Sequence, residues 1–135
     1  MARPPYILVV EDDEMTADLL CQHLEARGYL VTHCGDAEQF IIQTSAIRVG
    51  LVIMDIMLPV YGSGIDAYRR LRANHRVPRN LPVLFLTGIP HQQAERIIPK
   101  NDPHVRLLLK AGATIEKIDQ AIRELVGDRL LKRPG

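Results

Sequence analysis

The segment Leu51-Val52-Ile53-Met54-Asp55-Ile56-Met57-Leu58-Pro59 restricts what this chain can fold into more than any other. Apolar residues run without a break into one aspartate, and a proline ends the pattern. An unbroken apolar run of this kind predicts a strand buried on both faces, as in a parallel sheet covered by helices on either side. Asp55 then falls at the carboxyl end of the strand, the edge at which open α/β sheets bind ligands. Taken alone, Asp55 fits a turn or a helix start equally well, since aspartate often fills those positions.

The same grammar recurs along the chain. Tyr6-Ile7-Leu8-Val9-Val10 is a second apolar run, and it ends in Glu11, Asp12 and Asp13. Asp13 is placed to cap a helix, with Glu14 in its first turn and an inward face of Ala17, Leu20, Cys21 and Leu24. Gly28 stops that helix. Leu30 to Cys34 alternates and predicts a short strand; Gly35-Asp36 turns it into a second helix carrying Ala37, Phe40 and Ile41, which ends before Val49-Gly50. After Pro59, Val60 to Gly64 reads as a flexible loop. The third helix turns Ile65, Tyr68 and Leu71 inward and Arg69, Arg70 and Arg72 outward as a solvated face. Pro82-Val83-Leu84-Phe85-Leu86 is a strand ending at Thr87-Gly88, followed by a short helix, Pro90 to Ile98, with Ala94, Ile97 and Ile98 on one side. Val105 to Leu109 is a strand ending at Lys110. The last helix, Thr114 to Val126, has the clearest period: Ile115, Ile118, Ile122 and Leu125.

Five strands thus alternate with five helices, which predicts a parallel sheet with helices on both faces and right-handed crossovers. The rhythm suits the doubly wound strand order 2-1-3-4-5. The expected division is an N-terminal extension at 1–5, one domain at 6–126, and a polar tail or linker start at 127–135 carrying Leu130 and Leu131.

Composition narrows the function. The 135 residues suit a single core, and 47% apolar with 24% charged residues is ordinary for a folded domain. A net charge of +1 supplies no field toward nucleic acid or membrane, so neither is expected as a partner. No apolar run approaches the roughly 20 residues that span a bilayer, and Met1 to Pro5 has no signal-peptide pattern. Cys21 and Cys34 have neither metal nor disulfide-framework spacing, which suits reduced thiols in the cytoplasm. His23, His33, His75, His91 and His104 show no ligand spacing and are expected at the surface or in loops.

In a parallel sheet all carboxyl ends share one edge. Four of the five strands deliver a polar residue there: Glu11 and Asp12, Asp55, Thr87, and Lys110. Converging carboxylates resist ionisation together unless a cation is present. An all-oxygen set of this kind suits Mg2+, which binds through one or two carboxylates plus waters and phosphate oxygens. Lys110 and Thr87 are donors for phosphoryl oxygens, and aspartate can act as a nucleophile that forms an aspartyl-phosphate.

With these residues in view, the chain resembles the receiver domain of two-component response regulators over about residues 6–126. The matching motifs are Ile7-Leu8-Val9-Val10-Glu11-Asp12-Asp13, Met54-Asp55-Ile56-Met57-Leu58-Pro59, Leu86-Thr87-Gly88 and Leu109-Lys110. The resemblance implies a flavodoxin-like (βα)5 fold. It implies that Asp55 accepts a phosphoryl group from a phosphohistidine on a sensor histidine kinase or a histidine phosphotransfer protein. It also implies Mg2+ held by Asp12 and Asp55, by Glu11 through water, and by the backbone carbonyl of Met57. Lys110 would hold a phosphoryl oxygen, and Thr87 would swing in to bond another and report the change. The implied output surface surrounds the fourth helix, fifth strand and fifth helix, on a monomer or weak homodimer that signals through an unspecified downstream protein. The implied domain is not an enzyme beyond its own phosphorylation and dephosphorylation.

Several positions depart from that family's pattern. Ala111 replaces the proline that follows the lysine in a cis bond; a cis non-prolyl bond costs about 3–4 kcal/mol, so a trans bond or a rebuilt loop is expected. Leu107 stands where an aromatic switch residue is usual, and the loop before the third helix is one residue longer than is common. Met57 and Ile89 are apolar where many members place groups that help water attack, which predicts slow self-dephosphorylation. The second reading is a receiver-like interaction module that works without phosphate. Two further readings fit less well. A flavodoxin would need a phosphate-cradling loop after the first strand, where this chain is acidic. An aspartate-nucleophile phosphatase would want a second Asp at the place of Met57.

Overall fold

A computed structural model of the chain describes residues 3–56 and 64–132. The elements are β1 (Tyr6–Val10), α1 (Glu14–Ala26), β2 (Val31–Cys34), α2 (Ala37–Ala46), β3 (Val49–Met54), α3 (Gly64–Ala73), β4 (Val83–Thr87), α4 (His91–Ile97), β5 (Val105–Leu109) and α5 (Ile115–Val126). All strand pairs are parallel and the sheet order is β2-β1-β3-β4-β5, the doubly wound order expected.

The apolar runs are continuous because both faces of the central strands are covered. Leu8, Val10, Val52, Met54, Val83 and Phe85 face Phe40 of α2, Ile65, Tyr68 and Leu71 of α3, and Ala94 of α4. The alternate residues Ile7, Val9, Leu51, Ile53, Leu84 and Leu86 face Leu24 of α1 and Ile118 and Ile122 of α5. The caps at Asp13 and Asp36 fall where the sequence puts them, and Thr114, read as the first residue of the last helix, is its cap. Asp13 accepts from the Thr16 amide, Asp36 from the Gln39 amide and Thr114 from the Lys117 amide. Gly28, with φ +98°, turns the chain out of α1.

The packing departs from the sequence reading at three places. Arg72, expected outward, has only 16% of its side chain exposed and pairs with Asp102 at 2.8 Å. It lies one helical turn after Tyr68, hence on the same face of α3, and its guanidinium sits 5.0 Å from the Tyr68 ring centroid. Ile97, expected inward, is 43% exposed, while Ala94 and Ile98 hold α4 to the sheet. Residues 128–132 fold back on the body. Leu130 is fully buried in the α1–α5 core, Tyr29 and Leu131 form an antiparallel bridge, and the Lys132 amide donates to the Gly28 carbonyl at 2.7 Å.

β3 also begins two residues earlier than the sequence suggests, at Val49. A Cβ on Gly50 would lie 2.5 Å from Leu130 Cδ2 and 2.8 Å from Pro5 Cβ, so the absent side chain makes room for the returning strap. A buried polar cluster escaped the hydrophobic pattern as well. Asp119 of α5 accepts from the Tyr29 hydroxyl, from Arg27 Nη1 at 3.2 Å and from Arg123 Nε at 3.4 Å, tying the end of α1 to α5.

Candidate functional site at the carboxyl edge of the sheet

Strand register brings the polar residues together. Val10 pairs with Met54, so Glu11 and Asp55 leave adjacent strands at the same level. Thr87 pairs with Leu109, and the Lys110 amide donates to the Thr87 carbonyl at 2.7 Å. The backbone ladder therefore continues one step past β5 and fixes where Lys110 starts.

Lys110 Nζ lies 2.8 Å from Asp55 Oδ2 and 3.0 Å from Glu11 Oε2. One ammonium thus bridges two largely buried carboxylates, Asp55 with 10% and Glu11 with 8% of the side chain exposed. Burial pushes the Glu11 carboxyl above its ordinary value, and the neighbouring Asp12 carboxyl adds to this; the Lys110 contact and the Asp13 amide only partly offset them. Burial works against the Lys110 ammonium too, but hydrogen bonds and charge from Asp55 and Glu11 outweigh it and raise its pKa. Lys110 is thus firmly protonated.

The Glu11 backbone is clamped as well. Its amide donates to the Cys34 carbonyl at 3.1 Å, and His33 Nε2 sits 2.7 Å from its carbonyl oxygen. A carbonyl only accepts, so His33 carries its proton on Nε2 here. Thr87 is fully buried, and its Oγ1 accepts from the Ile89 amide at 3.3 Å. Asp12 is exposed at the rim.

Lys110 reaches this position without a proline behind it. Among the described residues every peptide bond is trans, including that to Ala111. The chain turns instead through Gly112, φ +78°, with the Ala113 amide donating to the Lys110 carbonyl at 3.2 Å. Leu107 packs partly buried against the α2–α3–α4 core, an aliphatic filling at that position. The carbonyl of Met57 and the loop through Ser63 lie outside the described residues.

Gly64 is a site-forming residue that the sequence reading passed over as loop. Its amide donates to the Ile56 carbonyl at 2.6 Å, and a Cβ there would stand 2.1 Å from the Asp55 carbonyl oxygen. Only glycine permits that approach. The Gly-Ser-Gly run was the available signal, but it indicates freedom and not contact.

By chemical type the acids at this edge are oxygen donors of the kind a hard divalent cation takes. Glu11, Asp12 and Asp55 carry three negative charges against one on Lys110, all through oxygen. Among the described residues no three acidic, histidine or cysteine side chains converge as a metal-holding group. Lys110 sits between Glu11 and Asp55, so a cation would compete with its ammonium for those oxygens.

The family model described as the response regulator receiver domain matches residues 7–123. Protein PetR of Rhodobacter capsulatus is 30% identical over 130 residues, covering 90% of this chain and 53% of that protein. The DNA-binding response regulator MtrA of Mycolicibacterium smegmatis is 40% identical over 72 residues, 53% of this chain and 31% of that protein. The chain spans about half the length of these curated relatives, or less. Among solved structures, the signal receiver domain of an HD domain-containing protein from Pseudomonas fluorescens superposes with TM-score 0.77 at 25% identity, covering 96% of this chain and 91% of that one. Vibrio cholerae CheY4 shares the fold, with TM-score 0.80 at 19% identity over 93% of this chain and 100% of that one. The chain belongs to the response regulator receiver domain family.

Proposed function

We propose that this domain takes a phosphoryl group onto Asp55 from the phosphohistidine of a sensor histidine kinase or a histidine phosphotransfer protein. The observation that carries this reading is Lys110 Nζ at 2.8 Å from Asp55 Oδ2, at the sheet edge where Thr87 ends the neighbouring strand. An Asp55 carboxylate oxygen forms the new P–O bond as the P–N bond to the donor imidazole breaks, and the imidazole keeps the electron pair. Lys110 follows the incoming oxygens as a point charge, and the Thr87 hydroxyl is a second donor within the same edge. Glu11, Asp12 and Asp55, with the backbone carbonyl of Met57, would hold Mg2+, which when bound neutralises charge on the transferring oxygens. Beyond its own phosphorylation and dephosphorylation, the domain has no enzymatic role in this reading.

The readout in this proposal is protein–protein binding at the surface of α4, β5 and α5, with residues 6–126 as the signalling unit. Buried Thr87 precedes α4 by four residues, and its hydroxyl oxygen accepts from the Ile89 amide in the segment between. A cytoplasmic setting belongs to the same reading. The Cys21 and Cys34 thiols are unpaired, and burial pushes them up to about 11 and about 12, values that make them unreactive. No helix among the described residues is long and apolar enough to cross a membrane.

The test is incubation with Mg2+ and acetyl phosphate, read by intact mass, beside an Asp55→Ala control. A one-phosphoryl adduct absent from the control is expected. No adduct under conditions where Mg2+ binds would overturn the acceptor role and leave the phosphate-independent interaction module.

A further inference from the structure

The opposite, amino edge of the sheet holds a second polar arrangement that phosphoryl transfer does not use. Asp102, just ahead of β5, accepts from Arg72 Nε at 2.8 Å, from the Tyr68 hydroxyl at 2.5 Å and from the His104 amide at 2.9 Å. Burial works against the Asp102 carboxylate, but these three donors together hold its pKa below the ordinary value. The carboxylate is therefore ionised, and it meets Arg72 through Nε.

The other end of the same guanidinium is not satisfied. Nη1 and Nη2 of Arg72 are buried and have no hydrogen-bond partner among the described residues. Buried polar atoms are nearly always paired, and each orphan in a native fold calls for a water, an ion or a function. Leaving a charged donor pair unsatisfied is costly, and the Tyr68 ring, 5.0 Å from the guanidinium carbon, is at best a weak acceptor. Two neighbouring nitrogens of one guanidinium form a fork that matches the oxygens of a phosphate or carboxylate.

Arg72 lines a groove of about 490 Å3 together with Tyr68, Arg79, Lys100, Asp102 and His104. Arg72, Arg79 and Lys100 contribute three positive charges against one negative on Asp102, a surplus of two with His104 neutral. Arg79 and Lys100 of the same groove are exposed, and an anion reaches the buried Nη atoms once the side chains over them move aside. The surplus matches a doubly charged oxyanion better than a single carboxylate.

We propose that this groove binds a phosphate-class dianion, with the Arg72 Nη pair as the anchoring fork and Lys100 and Arg79 completing the charge. The site is separate from Asp55, which leaves the other edge of the sheet, and does not depend on the phosphoryl-transfer reading.

The test is a nitrogen-edited NMR titration of the whole chain without divalent cations, against sodium chloride of equal ionic strength. One arm uses inorganic phosphate and the other glycerol phosphate. Saturable shifts at Asn101, Asp102, His104 and the Arg72 guanidinium are expected. Arg72→Lys, which keeps the charge but not the fork, should weaken binding at least about tenfold. Lys100→Ala, at an exposed position, should weaken it about threefold without touching the fold. Saturation by inorganic phosphate alone identifies the free ion as ligand; saturation by glycerol phosphate alone or by both identifies a phosphate monoester. Shifts equal to those with chloride, or confined to Glu11, Asp55 and Lys110, overturn the proposal. So does unchanged affinity in Lys100→Ala and Arg79→Ala, even if Arg72→Lys fails to fold.

Discussion

Leu130→Ala distinguishes a packed strap from a solvated tail. In a tail the substitution costs nothing measurable. In the structure Leu130 has no exposed surface, belongs to the core formed by Leu24, Tyr29, Leu51 and Ile122, and occupies the space left by Gly50. Truncating a buried leucine costs about 2–5 kcal/mol, depending on how far the site collapses. Arg129 beside it is exposed, so some collapse is expected and about 3 kcal/mol is the working figure. With a urea m-value of about 2 kcal/mol/M, the midpoint falls by about 1.5 M. The thermal midpoint falls by about 10 °C for a domain of this size. Urea denaturation followed by far-ultraviolet circular dichroism measures it, with Arg129→Ala as an exposed control expected within about 0.5 kcal/mol of the parent. Acetyl phosphate labelling of the folded variant should be unchanged, because the strap packs against the amino ends of β1 and β3. A loss below about 0.5 kcal/mol would refute the packing argument.

Gly64→Ala places a methyl 2.1 Å from the Asp55 carbonyl oxygen, where backbone cannot yield as a side chain can. A loss of about 3 kcal/mol or more is expected, along with poor Asp55 labelling in whatever folds; parent-like stability in urea would contradict it. Lys110→Ala leaves the Glu11 and Asp55 carboxylates without their shared ammonium, so the variant should melt earlier in chelator and regain more on adding Mg2+ than the parent does. Equal gains in a thermal melt would argue against the shared-cation geometry. Asp102→Asn tests the amino-edge pair through pH. Its folded pKa lies below the ordinary 3.8, so its stabilisation is complete above that value and lost as pH falls through the folded value. The gap in stability between parent and variant should be flat above about pH 5 and shrink below about pH 4, and a pH-independent gap would remove the ionised pair from the account. Finally, the apolar residues at Met57 and Ile89 predict a long-lived phosphoryl-Asp55; rapid loss of the mass adduct after the donor is removed would count against this.

Much of the fold is legible in the chain because its signals are local. Apolar runs that end in Glu11, Asp55, Thr87 and Lys110 state both that the strands are covered on two faces and which edge gathers the polar residues. Asp13 and Asp36 mark helix starts because each cap bonds an amide three residues on. The membership of Glu11, Asp55, Thr87 and Lys110 in one edge follows from the strand order, and register then brings them level.

Other features depend on partners that no local period can name. Lys110 meets Glu11 across 99 positions of sequence, and that contact decides that a single ammonium is shared between two acids. Arg72 reads as a surface arginine until Asp102, 30 positions on, draws it inward and leaves its far nitrogens without acceptors among the described residues. Leu130 reads as part of a tail until the cleft beside Gly50 takes it in. Helical and strand periods report which side of an element is apolar, and so the sequence by itself determined the layers, their order and the edge at which the polar residues gather. Long side chains and chain ends are placed by whichever cavity or charge lies within reach after the layers have packed, and only the tertiary structure decided those.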